Sequence, residues 1–277
     1  MGLLSTANTN KNAEGVRVVL AGAEKIGKTT LSTGAPGALL IPCEIGYGGV
    51  NVSKTNMVKE FDETLTLLDE ITTQCQQGQF PYKTLVFDSA TALERFIHSD
   101  IMAREVDPKA TMESALGGYG KAYTYSNQRF DSFLKRCDHL AVYYGINIVL
   151  TCHVFACEVI DPTVGTYSCW DLQLHSPKNN KTFGKREMLT QWADVVGFLY
   201  EPVIVSKKDD MQMGISSNKG RMLGMSRCPG YVAGNRYGVE GELAIPKDGG
   251  WNVLASAIYN SSGVNIYNYD SVQQEQQ

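Results

Sequence analysis

The run from Gly22 through Ala23, Glu24, Lys25, Ile26, Gly27 and Lys28 to Thr29 limits what this chain can become more than any other feature. It follows a short apolar, β-branched stretch (residues 15–21) and leads into a helical pattern. Two glycines five residues apart let backbone amides curl around phosphate oxygens, and the helix that follows presents its positive end to them. Lys28 stands where an ammonium neutralises β- and γ-phosphates. Thr29 stands where a hydroxyl ligates Mg²⁺, and Thr30 can add a phosphate contact at the helix start. Gly22 through Thr30 is therefore the expected nucleotide-binding set, with ATP and Mg²⁺ as the expected ligands.

Such a loop needs a buried strand on one side and a helix on the other, and the rest of the chain repeats that alternation. Residues 38–43, 84–87, 146–151 and 195–200 are further short apolar runs suited to strands buried on both faces. Between them, Phe61, Leu65, Leu68 and Ile71 hold one helical face, as do Leu93, Phe96, Ile97 and Ile101. The longest stripe runs through Phe130, Phe133, Leu134, Cys137, Leu140, Ala141 and Tyr144. Strands alternating with helices predict a mainly parallel α/β sheet flanked by helices. After about residue 200 the helical period fades. Lys207-Lys208-Asp209-Asp210 reads as a hairpin turn, and antiparallel strands are expected to extend the sheet toward the C-terminus.

The organisation that follows is a flexible arm at 1–14, one core at 15–259 and a flexible polar tail at 260–277. A chain of 277 residues, 43% hydrophobic, can bury one sizeable core. Seven cysteines at scattered positions fit reduced thiols in a cytoplasmic setting, and the sequence has no apolar run long enough to span a bilayer. A net charge of −4 gives no bulk attraction to a polyanion, so nucleic-acid binding would depend on local basic loops.

Three further positions are candidates for the chemistry. Asp88 ends the strand at 84–87, where a carboxylate can hold magnesium through water, and Ser89 follows it in place of the Glu that many ATPases use to orient the attacking water. Glu44 ends the strand at 38–43, which a parallel sheet brings to the same edge. It is either that missing base or a strand-end carboxylate bonded to the loop 46–49. His153 ends the strand at 146–151 and is either a sensor of the γ-phosphate or a histidine satisfied by nearby backbone. Cys152, His153, Cys157, Cys169 and His175 invite a zinc reading, but no two form a tight C-x-x-C pair.

Taken in order, the phosphate loop, Glu44 on the next strand, Asp88-Ser89, a long helix and His153 resemble the RecA-type core. The likeness is strongest to phage-encoded RecA-core single-strand-annealing ATPases, and includes Gly117-Gly118-Tyr119-Gly120-Lys121, Gln191-Trp192-Ala193-Asp194 and Gly234-Asn235-Arg236-Tyr237-Gly238 over roughly residues 15–250. The resemblance implies a RecA-like sheet, assembly as a ring or filament, Glu44 as the water-activating carboxylate, and a bacterial host cytoplasm. It also implies coupling to single-stranded DNA through loops 105–121 and 154–184, with a single-strand-binding protein as a possible partner. Those loops hold Lys109, Lys121, Lys178, Lys181, Lys185 and Arg186 beside Tyr119, Tyr123 and Trp170. Arg236 matches the second of a basic pair that reaches into a neighbouring subunit's site, while Gly234 occupies the place of the first; otherwise Arg236 pairs with Glu240 or Glu242. Two alternatives remain: a nucleotide-gated binding module with little hydrolysis, and a small-molecule P-loop kinase, which the scarcity of arginines in 154–184 disfavours.

Overall fold

The computed structural model describes residues 14–177, 183–208, 211–217 and 220–266. In chain order its elements are β1 (Arg17–Gly22), α1 (Lys28–Thr33), β2 (Ala38–Pro42), β3 (Ser53–Lys54), α2 (Phe61–Gln76), β4 (Thr84–Asp88), α3 (Ala90–Ala103) and α4 (Lys121–Tyr144). There follow β5 (Asn147–Cys152), β6 (Val154–Asp161), β7 (Gly165–Leu172), α5 (Lys185–Trp192), β8 (Val195–Tyr200), β9 (Val203–Lys208) and β10 (Met211–Ser216). The last are β11 (Arg221–Gly224), β12 (Gly234–Asn235), β13 (Glu242–Ile245) and α6 (Gly250–Ser262).

The five apolar runs are five adjacent parallel strands. Among the described residues the central sheet has nine strands in the order β13-β11-β8-β1-β5-β4-β2-β3, with β12 also on β8. Pairing is parallel from β8 to β3, whereas β11, β12 and β13 are antiparallel. Both faces of each central strand are covered, so alternate residues enter different cores. Val19 and Ala21 pack with α2, α3, α4 and α5, while Val18 and Leu20 pack with Leu31 of α1 and Trp251, Leu254 and Ile258 of α6. The mainly parallel α/β sheet with antiparallel strands toward its end is thus the observed fold.

Four features depart from the reading of the sequence. β9 and β10 form the expected hairpin, with Lys208 opposite Met211, but as a separate two-stranded ribbon that does not extend the sheet; Asp209 and Asp210 of its turn lie outside the described residues. The segment expected as a loop at 154–184 contains another ribbon, β6–β7. Helix α6 was not expected, although Trp251, Leu254, Ala255 and Ile258 have helical spacing and are fully buried. Ordered packing also passes the boundary set at 259. Ile266 is buried, and its carbonyl accepts from Asn147 Nδ2 at 2.9 Å while Asn147 Oδ1 accepts from Val16 N at 3.0 Å. Of the two terminal segments expected to be flexible, 1–13 and 267–277 lie outside the described residues. Among those described, no helix is long and apolar enough to cross a membrane.

Because α6 shares with α1 the covering of one face of the sheet, Trp251→Ala is expected to destabilise the fold by about 3–5 kcal/mol, whereas Tyr259→Ala, at a position 56% exposed, should stay within about 0.5 kcal/mol of wild type. Denaturant unfolding of the two variants checks this; equal stabilities would show that α6 is not part of the core.

Candidate functional site

The site is assembled at the carboxyl edge of the parallel strands. β1 delivers Gly22 there, opposite Leu199 of β8, and the fit is so close that a Cβ on Gly22 would stand 2.4 Å from the Leu199 carbonyl. Gly27 closes the loop at φ +99, a left-handed conformation that favours glycine, and Lys25 is also left-handed at φ 60. Lys28 is buried and donates to the carbonyls of Gly22 and Ala23, both at 2.8 Å, so its ammonium spans the mouth of the loop. Burial lowers its pKa, against the opposing charges of Asp88 and Glu44. Ala23, Glu24, Lys25 and Thr30 are exposed around this mouth, and Ile26 is half-buried.

Asp88, at the end of β4, joins this loop to two other strands. Thr29 Oγ1 donates to Asp88 Oδ2 at 2.7 Å, and the Thr151 hydroxyl of β5 donates to Oδ1. Cys43 N donates to the Asp88 carbonyl at 2.7 Å, which fixes the turn carrying Glu44. Ser89 caps α3 by accepting from Ala92 N at 3.3 Å. The hydroxyl of Thr29 and the carboxylate of Asp88 are hard oxygen donors on one spot, a set that fits Mg²⁺.

Glu44 and His153 meet: His153 Nε2 lies 2.8 Å from Glu44 Oε1. Glu44 thus turns to the histidine and not to the 46–49 loop. His153 is held by its backbone N–H on Thr91 Oγ1 at 3.1 Å, which leaves its ring free to reach Glu44. Burial acts to raise the Glu44 carboxyl, but hydrogen bonds from His153 and Ser89 and the charges of His153 and Arg95 outweigh it and hold the group below its usual range. The zinc reading finds no support. Among the described residues no group of three or more His, Cys, Asp or Glu is arranged to hold a metal, and the five side chains are dispersed. Cys152 is buried against Thr91, Cys157 faces Cys169 across the β6–β7 ribbon, and His175 stacks on Tyr123 at 3.8 Å.

Arg236 is not brought to this site. It donates to Asp194 Oδ1 at 2.8 Å and to the Gln191 carbonyl, beside Arg17, at the opposite edge of the sheet. The expected pairing with Glu240 or Glu242 is not made, because Glu242 accepts from the hydroxyls of Tyr200 and Tyr231. Two of the basic residues assigned to DNA loops are also occupied elsewhere. Lys185 is fully buried, 3.1 Å from Glu94, and Arg186 pairs with Asp171 and Glu187 at 2.9 Å each. Lys178 and Lys181 lie outside the described residues. Lys109, Lys121, Tyr119 and Trp170 remain exposed. The Tyr123–His175 stack and a 3.0 Å bond from Asn127 Nδ2 to the Phe183 carbonyl bring the two segments together.

Reading the sequence missed Thr151, Glu94 and Arg221. Thr151 had a usable signal, being two residues before His153 at the end of a strand already assigned to the edge. Arg221 had none within its neighbourhood: it reaches the loop from β11, almost two hundred positions away, and donates to the Ile26 carbonyl at 3.3 Å.

The comparisons with known proteins agree with this geometry. A family model described as AAA domain matches residues 14–237, a span that contains the phosphate loop, Asp88, Glu44, His153 and Arg236. No curated protein gave a match. With most of its length matched and a phosphate loop, a threonine and a strand-end aspartate meeting at one sheet edge, the chain belongs to the AAA domain family of P-loop nucleoside triphosphatases.

Proposed function

We propose that the chain binds ATP with magnesium, hydrolyses it with Glu44 as the base, and couples that turnover to single-stranded DNA in recombination or strand annealing. The contact between Glu44 and His153 carries this reading. His153 is the one residue between β5, which belongs to the sheet, and β6, which leaves it, so the proposed catalytic carboxylate is bonded to the root of a projecting ribbon. A change at the γ-phosphate that draws Glu44 toward it would pull on that root.

Each residue has a defined task. Lys28 exchanges the Gly22 and Ala23 carbonyls for phosphate oxygens. Glu44, ionised because its carboxyl is held low, takes a proton from the water that attacks the γ-phosphorus, and ADP leaves as the bond to its β-phosphate oxygen breaks. Thr29 and Asp88 would hold magnesium, which would supply positive charge to the phosphates. The DNA reading draws on the exposed aromatics Tyr119, Trp170, Phe155 and Phe183 and on the exposed Lys109 and Lys121, residue types suited to base stacking and phosphate contact. Assembly as a ring or filament would let Arg236 serve a neighbour's site. One observation favours a nucleotide-gated module of low turnover: Arg236 is committed to Asp194, and Gly234 offers no second cation.

Steady-state hydrolysis with and without single-stranded DNA, at several protein concentrations, tests the whole reading. Glu44→Gln should keep ATP affinity while turnover falls by about 10²–10⁴, and Lys28→Ala should lose ATP binding; wild-type turnover in Glu44→Gln would remove Glu44 from the mechanism.

The pH dependence follows from the environment of Glu44. Its folded-state carboxyl lies below 4.5, so the active ionised form persists as pH falls and is lost only on passing through the lowered value. His153→Asn takes away the histidine's part in holding the carboxyl low and leaves burial to act upward, so the acid limb of the pH–rate profile should move to higher pH. An unmoved limb would mean that His153 does not set the carboxyl.

For DNA, Trp170→Ala and Tyr119→Ala are each expected to weaken single-strand binding by about 1–3 kcal/mol if each stacks one base. Fluorescence anisotropy against salt checks both stacking and phosphate contact; affinity indifferent to salt and to both substitutions would exclude this surface.

A further inference from the structure

Arg221 is a second cation on the phosphate loop, reaching it from β11. β11 runs antiparallel to β8 with Met222 opposite Tyr200, so Arg221 stands just past the carboxyl end of β8, beside the point where β1 releases the phosphate loop. Its Nη1 donates to the Ile26 carbonyl at 3.3 Å and its Nη2 to the Pro246 carbonyl at 2.6 Å. The guanidinium rests on the loop itself, with Nη1 only 2.1 Å from where a Cβ of Gly27 would be, so glycine is needed there for the arginine as well as for the left-handed backbone. Among the described residues no carboxylate pairs with it, whereas Arg17, Arg186 and Arg236 each have one. A half-buried guanidinium held only by carbonyls keeps its charge and most of its five donors uncommitted.

Its side of the loop decides what it meets. The loop's carbonyls divide between two cations: those of Gly22 and Ala23 turn to Lys28, which lies where the phosphates bind, whereas that of Ile26 turns to Arg221. Bound to the carbonyl of Ile26 and not to those that face Lys28, Arg221 leaves the phosphate position to the lysine and is left to meet the remainder of a nucleotide. A planar guanidinium is suited there to the face of an aromatic base, which attracts it by cation–π interaction and stacking.

We propose that Arg221 is the nucleobase-contacting residue of this site, stacking its guanidinium on the base of the nucleotide bound in its own chain. The proposal rests on the nucleotide reading above, and adds that affinity comes from the base as well as from the phosphates.

The test compares ATP with inorganic tripolyphosphate, which has the phosphates and no base, by calorimetry on the full chain with magnesium. Arg221→Ala should weaken ATP about tenfold and leave tripolyphosphate unchanged. Arg221→Lys, which keeps the charge and a donor for the carbonyls but has no plane, should show the same ATP-selective loss, and decides the matter if the alanine variant fails to fold. Equal losses for both ligands would make Arg221 a brace of the loop and overturn the proposal, as would wild-type ATP affinity in Arg221→Lys. If wild-type protein binds neither ligand, the nucleotide reading itself fails; if it binds both and Lys28→Ala binds neither, that reading stands whatever Arg221 does.

Discussion

The Asp88 carboxylate is the contact on which the rest of the site depends. One oxygen accepts from Thr29 at the head of α1 and the other from Thr151 on β5, while the backbone carbonyl of the same residue holds Cys43 after β2. Three strands and the phosphate loop thus share one residue. A parallel sheet aligns strand ends only approximately, since each crossover is free to slide by a residue. These bonds remove that freedom, and with it fixed, Glu44 and His153 emerge at hydrogen-bonding distance. Charge-assisted bonds to a carboxylate are roughly twice as strong as neutral ones, which suits a residue that must keep a hydroxyl and an acceptor aligned.

The same strand end leads into α3, and α3 carries the connection onward. Thr91 holds the backbone of His153, and Glu94, one turn later, accepts from His175 N at 2.9 and 3.1 Å and lies 3.1 Å from Lys185. The segment that returns from the β6–β7 ribbon is therefore clasped to the helix that begins at the site. Burial lowers the Lys185 pKa while Glu94 opposes it, so each charge keeps the other tolerable in the interior. A buried pair adds little stability over apolar packing, but removing one member costs about 3–5 kcal/mol. Its effect is to leave one arrangement of the ribbon root relative to α3, so that motion at one is felt at the other.

How much of this the sequence disclosed follows from the range of the interactions. Strands buried on both faces must be apolar throughout, so the five central strands were legible as runs, and the phosphate loop as spacing. Glu44 and His153 were legible because strand ends in a parallel sheet share an edge. Lys185 was misjudged because a lysine in a polar stretch reads as solvated; its partners Glu94 and His98, on a distant helix, explain its burial. Helix α6 was hidden because Gly249 and Gly250 at its start and Asn260 to Ser262 at its end read as loop and dilute a sound stripe. Arg221 and the Arg236–Asp194 pair depend on antiparallel additions to β8, whose register nothing local specifies.

The placement of Arg236 has a consequence for assembly. β1 and β8 run in parallel from Arg17 and Asp194 at one edge to Gly22 and Leu199 at the other. Five steps of about 3.3 Å separate the edges by roughly 17 Å, beyond the reach of any side chain. Arg236 therefore cannot serve the phosphate loop of its own chain. A copy stacked edge to edge would bring the amino edge of one molecule to the carboxyl edge of the next. In such a stack this half-exposed guanidinium would have to leave Asp194 to meet a phosphoryl group, and Asp194 would retain Arg17 as its counter-charge.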